Sequence, residues 1–150
     1  MAGAEVDGVE EVQRNLAKLA KRYSQGTIDG AIEGANLVRS DAIKSIQDQS
    51  PGDIVERSRA GGGTYEHVAA SEGEAPNTDT GRLVQSIQVD IQPSSIFVGS
   101  SLDYAGFLEN GTRQMGARPW LFPALEKNRG AVEKLIGQKI EKITLIYGDV

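Results

Sequence analysis

The stretch Tyr104-Ala-Gly-Phe-Leu-Glu-Asn-Gly-Thr-Arg-Gln-Met-Gly-Ala-Arg-Pro-Trp-Leu-Phe-Pro-Ala-Leu125 holds half of the chain's aromatic residues. Tyr104, Phe107 and Leu108 stand at i, i+3 and i+4, which predicts a short helix carrying all three on one face. Asp103 stands where a side chain can cap its start, and Gly111 where a residue of positive φ can end it. Arg118 precedes Pro119 and is biased toward extended backbone. Trp120 and Phe122 are therefore expected on one side of an extended clamp and Leu121 on the other. Pro123 suits the first turn of a new helix.

On the upstream side, Ile87, Val89 and Ile91 alternate with Gln88, Asp90 and Gln92, the period of a half-buried strand. Pro93 to Ser95 supply a turn, and Ile96 to Gly99 return as the second strand of a hairpin. Asp79 or Thr80 is expected to cap a helical turn in which Leu83 and Ile87 share a face. Downstream of Pro123, Leu125, Val132, Leu135, Ile136, Ile140 and Ile143 recur at helical spacing. Thr144 to Tyr147 favour a strand by propensity, which leaves the end of that helix open.

Tyr104-Ala105, Glu109-x-Gly111-Thr112, Arg118-Pro-Trp-Leu121 and Pro123-Ala-Leu125, preceded by Thr80-Gly81-x-Leu83-x-x-Ser86-Ile87, resemble the motifs of one family. It is the neck and tail-component (tail-completion, minor tail protein Z-like) family of long-tailed bacteriophages. The match spans residues 80–125, about a third of the chain, with Trp120 in a place the family often gives to Phe. The resemblance implies a virion structural protein at the head-to-tail junction, without enzymatic activity, assembled in the host bacterial cytoplasm. It implies docking between a head-closure or stopper ring, the tail-terminator and the tail tube, as a homo-oligomeric ring for which six-fold symmetry is expected. By itself a lone tryptophan flanked by Leu121 and Phe122 reads as a core anchor. On the family reading Trp120, Phe122, Arg118, Arg113, Tyr104, Glu109 and Tyr65 are candidate interface residues, with Arg113 and Arg118 bridging to the acidic first half of a neighbouring copy. The alternative pairs those arginines with Glu109 or Glu126 of the same chain.

The first 75 residues match no motif. Val9, Val12, Leu16 and Leu19 form the stripe of an amphipathic helix capped by Asp7, after a loose terminus at residues 1–7. Gly26 is expected to break or bend it. A second helix is expected from Thr27 to Gln47, with Ile28, Ala31, Ile32, Ala35, Val38, Ala42 and Ile46 as a small-residue face. Ser50-Pro-Gly52 ends it. Residues 50–79 are polar and Gly-rich, with Gly61, Gly62 and Gly63 in a row, and read as a long flexible assembly loop. The expected whole is a single α+β domain over residues 1–150: two N-terminal helices, a long loop, a hairpin-based antiparallel sheet, a short helix and a C-terminal helix.

The net charge of -5 at pH 7 argues against nucleic-acid binding, which needs clustered Lys and Arg. The acidic excess reads as a solvated surface that aids solubility; if the protein lines a DNA passage, an acidic wall would let DNA slide. The absence of cysteine excludes disulfides and thiolate metal sites, and no apolar run reaches the length of a membrane span. No cofactor or metal is expected, since the carboxylates are scattered and no Gly-Lys-Ser/Thr follows the glycine run. His67, the only histidine, lies beside Glu66 and reads as a solvated loop residue. An alternative from another class is a small hydrolase using His67 with a carboxylate, and a third is a regulatory binding module sharing the fold.

Overall fold

The computed structural model describes residues 9–147, and the expectations for residues 1–7 lie outside them. In chain order the elements are α1 (Val9–Gln47), β1 (Gly52–Ser58), β2 (Thr64–Ala70), α2 (Arg82–Ser86), β3 (Ile87–Gln92), β4 (Ser95–Ser100), α3 (Asp103–Asn110) and α4 (Phe122–Tyr147). The class is α+β, with two antiparallel two-stranded sheets, β1-β2 and β3-β4.

α1 is one helix of 39 residues, not two. Gly26 neither breaks nor bends it into separate elements, because Gly26, Gly30 and Gly34 line up one turn apart and are all buried against α4. A Cβ on Gly30 would lie 2.7 Å from the Ile136 Cα, so the two backbones approach closely only where side chains are missing. The helices run antiparallel: Tyr23 Oη meets Thr144 Oγ1 at 2.8 Å near one end, and Asn128 Nδ2 donates to Asp41 Oδ2 at 2.7 Å near the other. α4 stays helical to Tyr147, so the strand propensity of Thr144 to Tyr147 is overridden by its continuation along α1.

The second half of α1 turns Val38, Ala42 and Ile46 into a core that also holds Leu83, Ile87, Ala105, Trp120 and Ala124. The small-residue face thus packs on α4 and on the β3-β4 hairpin. That hairpin forms as expected, with Ile87 opposite Ser100 and Gln92 opposite Ser95 across the Pro93-Ser94 turn. Arg39 Nε donates to the Ile87 carbonyl at 2.8 Å and ties the sheet to α1. Leu83 and Ile87 are both buried, but no side chain caps α2. Gly81, at φ 75°, occupies the cap position, and Asp79 is engaged elsewhere.

Residues 50–79 are not a structureless loop. β1 and β2 pair in register from Gly52-Ala70 to Ser58-Thr64. The three glycines are the hairpin's turn: Gly62 and Gly63 take φ of 88° and 82°, and Arg59 N donates to the Gly63 carbonyl at 2.9 Å. The return segment is pinned by Asn77. Its Nδ2 donates to the carbonyls of Ser50 (2.8 Å) and Val68 (2.9 Å), and its Oδ1 accepts from Ser50 N at 2.6 Å. One amide side chain thus holds three separate backbone segments together.

Candidate functional site

The two halves of the Tyr104–Leu125 stretch meet at Glu109. Its Oε2 accepts from the backbone N–H of Trp120 (2.8 Å) and Leu121 (3.0 Å), and its Oε1 accepts from Phe122 N–H (2.8 Å). These are donors that a helix start leaves without intrahelical partners, and α4 begins at Phe122. A carboxylate there also meets the positive end of the helix dipole. Glu109 thus caps a helix eleven residues further on and pairs with neither Arg113 nor Arg118.

This fastening bends the expected clamp. Trp120 and Phe122 do not share a side: Trp120 is 3% exposed while Phe122, already helical, is 61% exposed. Leu121 packs against the core. The Trp120 indole N–H points at the Ala105 carbonyl at 3.4 Å, so Trp120 is an internal anchor and not a residue presented to a partner. On α3 the buried position is Ala105, and Tyr104 and Phe107 are 41% and 58% exposed. The three residues at i, i+3 and i+4 therefore do not share one core face: Leu108 packs against the core beside Ala105, and Tyr104 and Phe107 turn outward. Asp103 lies in the first turn of α3 without capping it.

Gly111 ends α3 at φ 73°, and a Cβ there would sit 2.8 Å from Ala117 N and 2.9 Å from the Met115 carbonyl. Backbone conformation and close approach both require glycine at this position. The chain from Thr112 to Ala117 folds back over it, and Arg118 N donates to the Leu108 carbonyl at 2.7 Å. Arg118 Nε donates to the Ala70 carbonyl at 2.6 Å, which fixes the end of β2 to the motif. Arg113 is exposed, and Glu126 pairs with Arg129 at 2.5 Å, so neither intrachain partner expected for the arginines is found.

Between the β1-β2 hairpin and the motif lies a groove of about 550 Å³. Ile46, Leu83, Leu108 and Met115 give it apolar lining, and Arg57, Arg82 and Arg118 give it positive charge. Tyr65 Oη donates to Asp79 Oδ1 at 2.6 Å, closing one end of the hairpin onto the body. That hydrogen bond, before all other causes, pushes the Tyr65 phenol above its ordinary pKa. His67 is half-buried in the groove lining and makes no hydrogen bond to a carboxylate among the described residues. Among those residues, no group of three or more His, Asp or Glu could hold a metal ion, and no helix is long and apolar enough to cross a membrane.

Of these candidate residues, the fold gathers Glu109, Trp120 and Tyr104 around α3, sets Arg118 at the foot of the hairpin against Ala70, and puts Tyr65 near the hairpin's turn, bonded to Asp79. It leaves Arg113 and Phe122 outward. In the sequence Asn77 reads only as one polar residue of the 50–79 stretch, and Asn128 as a helix-surface residue. Asn77 follows a buried proline, a modest signal for an ordered turn, and Asn128 gave none. No family model, curated protein or solved structure matches the chain.

Proposed function

We propose that this chain is a virion structural protein of the head-to-tail junction, a neck or tail-completion component of a long-tailed bacteriophage or prophage. It acts by docking and has no catalytic step. The observation that carries the docking reading is the amount of surface left uncovered. The chain exposes 10779 Å² at 16.0 kDa, where a compact monomer of that mass exposes roughly 7,400 Å². The excess of about 3,400 Å² suits a subunit whose elongated helix pair and hairpin are meant for neighbours, since a standard interface covers about 800 Å² of each partner. All three phenylalanines, Phe97, Phe107 and Phe122, are more than half exposed, while the single tryptophan is spent internally.

The phage identity is supported by the resemblance of residues 80–125. The capping of α4 by Glu109 gives the Glu-x-Gly-Thr and Arg-Pro-aromatic-Leu motifs a shared structural reason to occur together. In this reading Phe122, Tyr104 and Arg113 remain contact candidates, Trp120 and Glu109 hold the body rigid, and Arg118 and Tyr65 orient the hairpin. The partners are the head-closure or stopper ring, the tail-terminator ring and the tail-tube end, with identical copies closing a ring of their own. The test is to isolate virions and free tails from an induced lysate of the strain carrying this gene and probe them with antibody against the chain. Gold label confined to the head-proximal tail end supports the proposal, and absence from purified particles overturns it.

A further inference from the structure

The groove between the β1-β2 hairpin and the motif differs in charge from the chain around it. Its lining carries Arg57, Arg82 and Arg118 against one carboxylate, Asp79, on a chain of net charge -5. Asp79 is engaged by the Tyr65 hydroxyl. By contrast, a second groove of about 510 Å³, between α1 and the β3-β4 turn, has no charged residue in its lining.

Arg118 is half-buried, where a cation ordinarily has a carboxylate partner, yet it forms no ion pair among the described residues. Glu72 packs on Gly116 without pairing to it. Instead Nε donates to the Ala70 carbonyl and the backbone N–H to the Leu108 carbonyl, which holds the guanidinium in place. Its two Nη groups keep their N–H donors, the end-on fork that a carboxylate accepts bidentately. Arg57 and Arg82 are exposed and make no hydrogen bond or ion pair among the described residues. Beside these charges lie half-buried Leu108 and Met115 and the exposed Tyr104 ring. The described ends of the chain are remote from the groove. Along α1, Val9 stands roughly 55 Å from Ile46, and Thr144, level with Tyr23, roughly 35 Å.

We propose that this groove docks a short acidic segment of a partner protein, in which carboxylates alternate with apolar side chains. One carboxylate takes the Arg118 fork, its neighbours meet Arg57 and Arg82, and the apolar side chains between them cover Leu108, Met115 and Tyr104. Charge complementarity selects this occupant. A nucleic acid would meet seven acidic residues and two basic ones between Asp48 and Asp79. An inorganic anion would leave the apolar lining uncovered. The rim is open at exposed Thr78, Thr80 and Arg82, which suits a passing chain better than a small molecule enclosed on most of its surface. The proposal stands on the groove alone and does not depend on the neck reading.

The test is fluorescence anisotropy of the purified chain with three labelled pools of short peptides. In the first pool Asp or Glu alternates with Leu, Ile, Val or Phe. In the second Asn or Gln replaces the acids, and in the third Ser replaces the apolar residues. The first pool is expected to bind at least about tenfold more tightly than either of the others. Arg57→Glu with Arg82→Glu, both at exposed positions, should weaken it by about tenfold or more while circular dichroism stays native. Arg118→Lys keeps the charge, loses the fork and should weaken it as well. Arg113→Glu, at an exposed arginine outside the groove, should leave it unchanged. Equal affinity for the three pools, no binding of the first, or a loss with Arg113→Glu as large as with the groove variants overturns the proposal. So does an oligothymidylate that binds through the groove arginines and that the first pool cannot displace. Gold label at tail ends with no pool binding sinks this inference and leaves the neck reading standing; pool binding by a chain absent from particles does the reverse.

Discussion

Glu109 is the residue on which the motif turns. Three N–H groups converge on one carboxylate, and without it the part-buried N–H groups of Trp120 and Leu121 would lose their acceptor. Glu109→Ala is expected to lower unfolding free energy by about 2 kcal/mol, and Glu109→Gln by less because an amide oxygen still accepts, both read from urea midpoints. Asp41 supplies a second prediction at this scale. The hydrogen bond from Asn128, followed by Lys127 at 2.9 Å, holds its carboxyl below the usual value of 3.8. A depressed folded-state pKa stabilises above the unfolded value and is lost as pH falls through the folded one. Wild type should therefore exceed Asp41→Asn in stability at pH 7, and the gap should close as pH drops below about 3.8. Neither role could be read in the sequence. Capping rules look three residues ahead, whereas Glu109 acts at 11 to 13, and Asp41 meets Asn128 only because two helices run antiparallel.

Elements were legible where their period was unbroken. The β3-β4 hairpin, α3 and α4 fall close to where alternation and helical spacing put them. Glycine was the residue that misled. Gly26 reads as a breaker in a linear sequence, yet the four-residue spacing of Gly26, Gly30 and Gly34 is what lets α1 and α4 approach. Gly30→Ala should force the helices apart and lower thermal stability. Gly137→Ala in α4, with nothing within 4 Å of the added methyl, should raise stability by about 0.5–1 kcal/mol. Equal effects at the two sites would contradict the packing account. The run Gly61 to Gly63 likewise reads as a hinge unless the β-prone residues on either side, Ile54-Val55 and Tyr65 with Val68, are weighed with it. Its return segment depends on Asn77, so a glutamyl protease should cut slowly at Glu72 and Glu74 in the wild type. In Asn77→Ala it should cut there much faster, and unchanged rates would show that the segment is held by something else.

At the scale of the whole molecule, the acidic excess of the sequence is unevenly spread. The charged residues from Asp48 to Asp79 are mostly acidic, yet the groove between hairpin and motif beside them carries Arg57, Arg82 and Arg118. The sequence shows the net charge but not this gathering of arginines, because Arg57, Arg82 and Arg118 come from three separate segments that only the fold brings together. The thin core and large exposed surface make the same point in energetic terms: much of what this chain can bury remains for a neighbour to cover. The most direct measurement is the mass of the purified chain by light scattering, alone and mixed with isolated long tails of the kind the proposed neck function names as its partner. The account predicts that the chain joins tail ends as a fixed multiple of its 16.0 kDa mass, consistent with a ring. A chain that neither self-associates nor adds mass to tails or heads would contradict it.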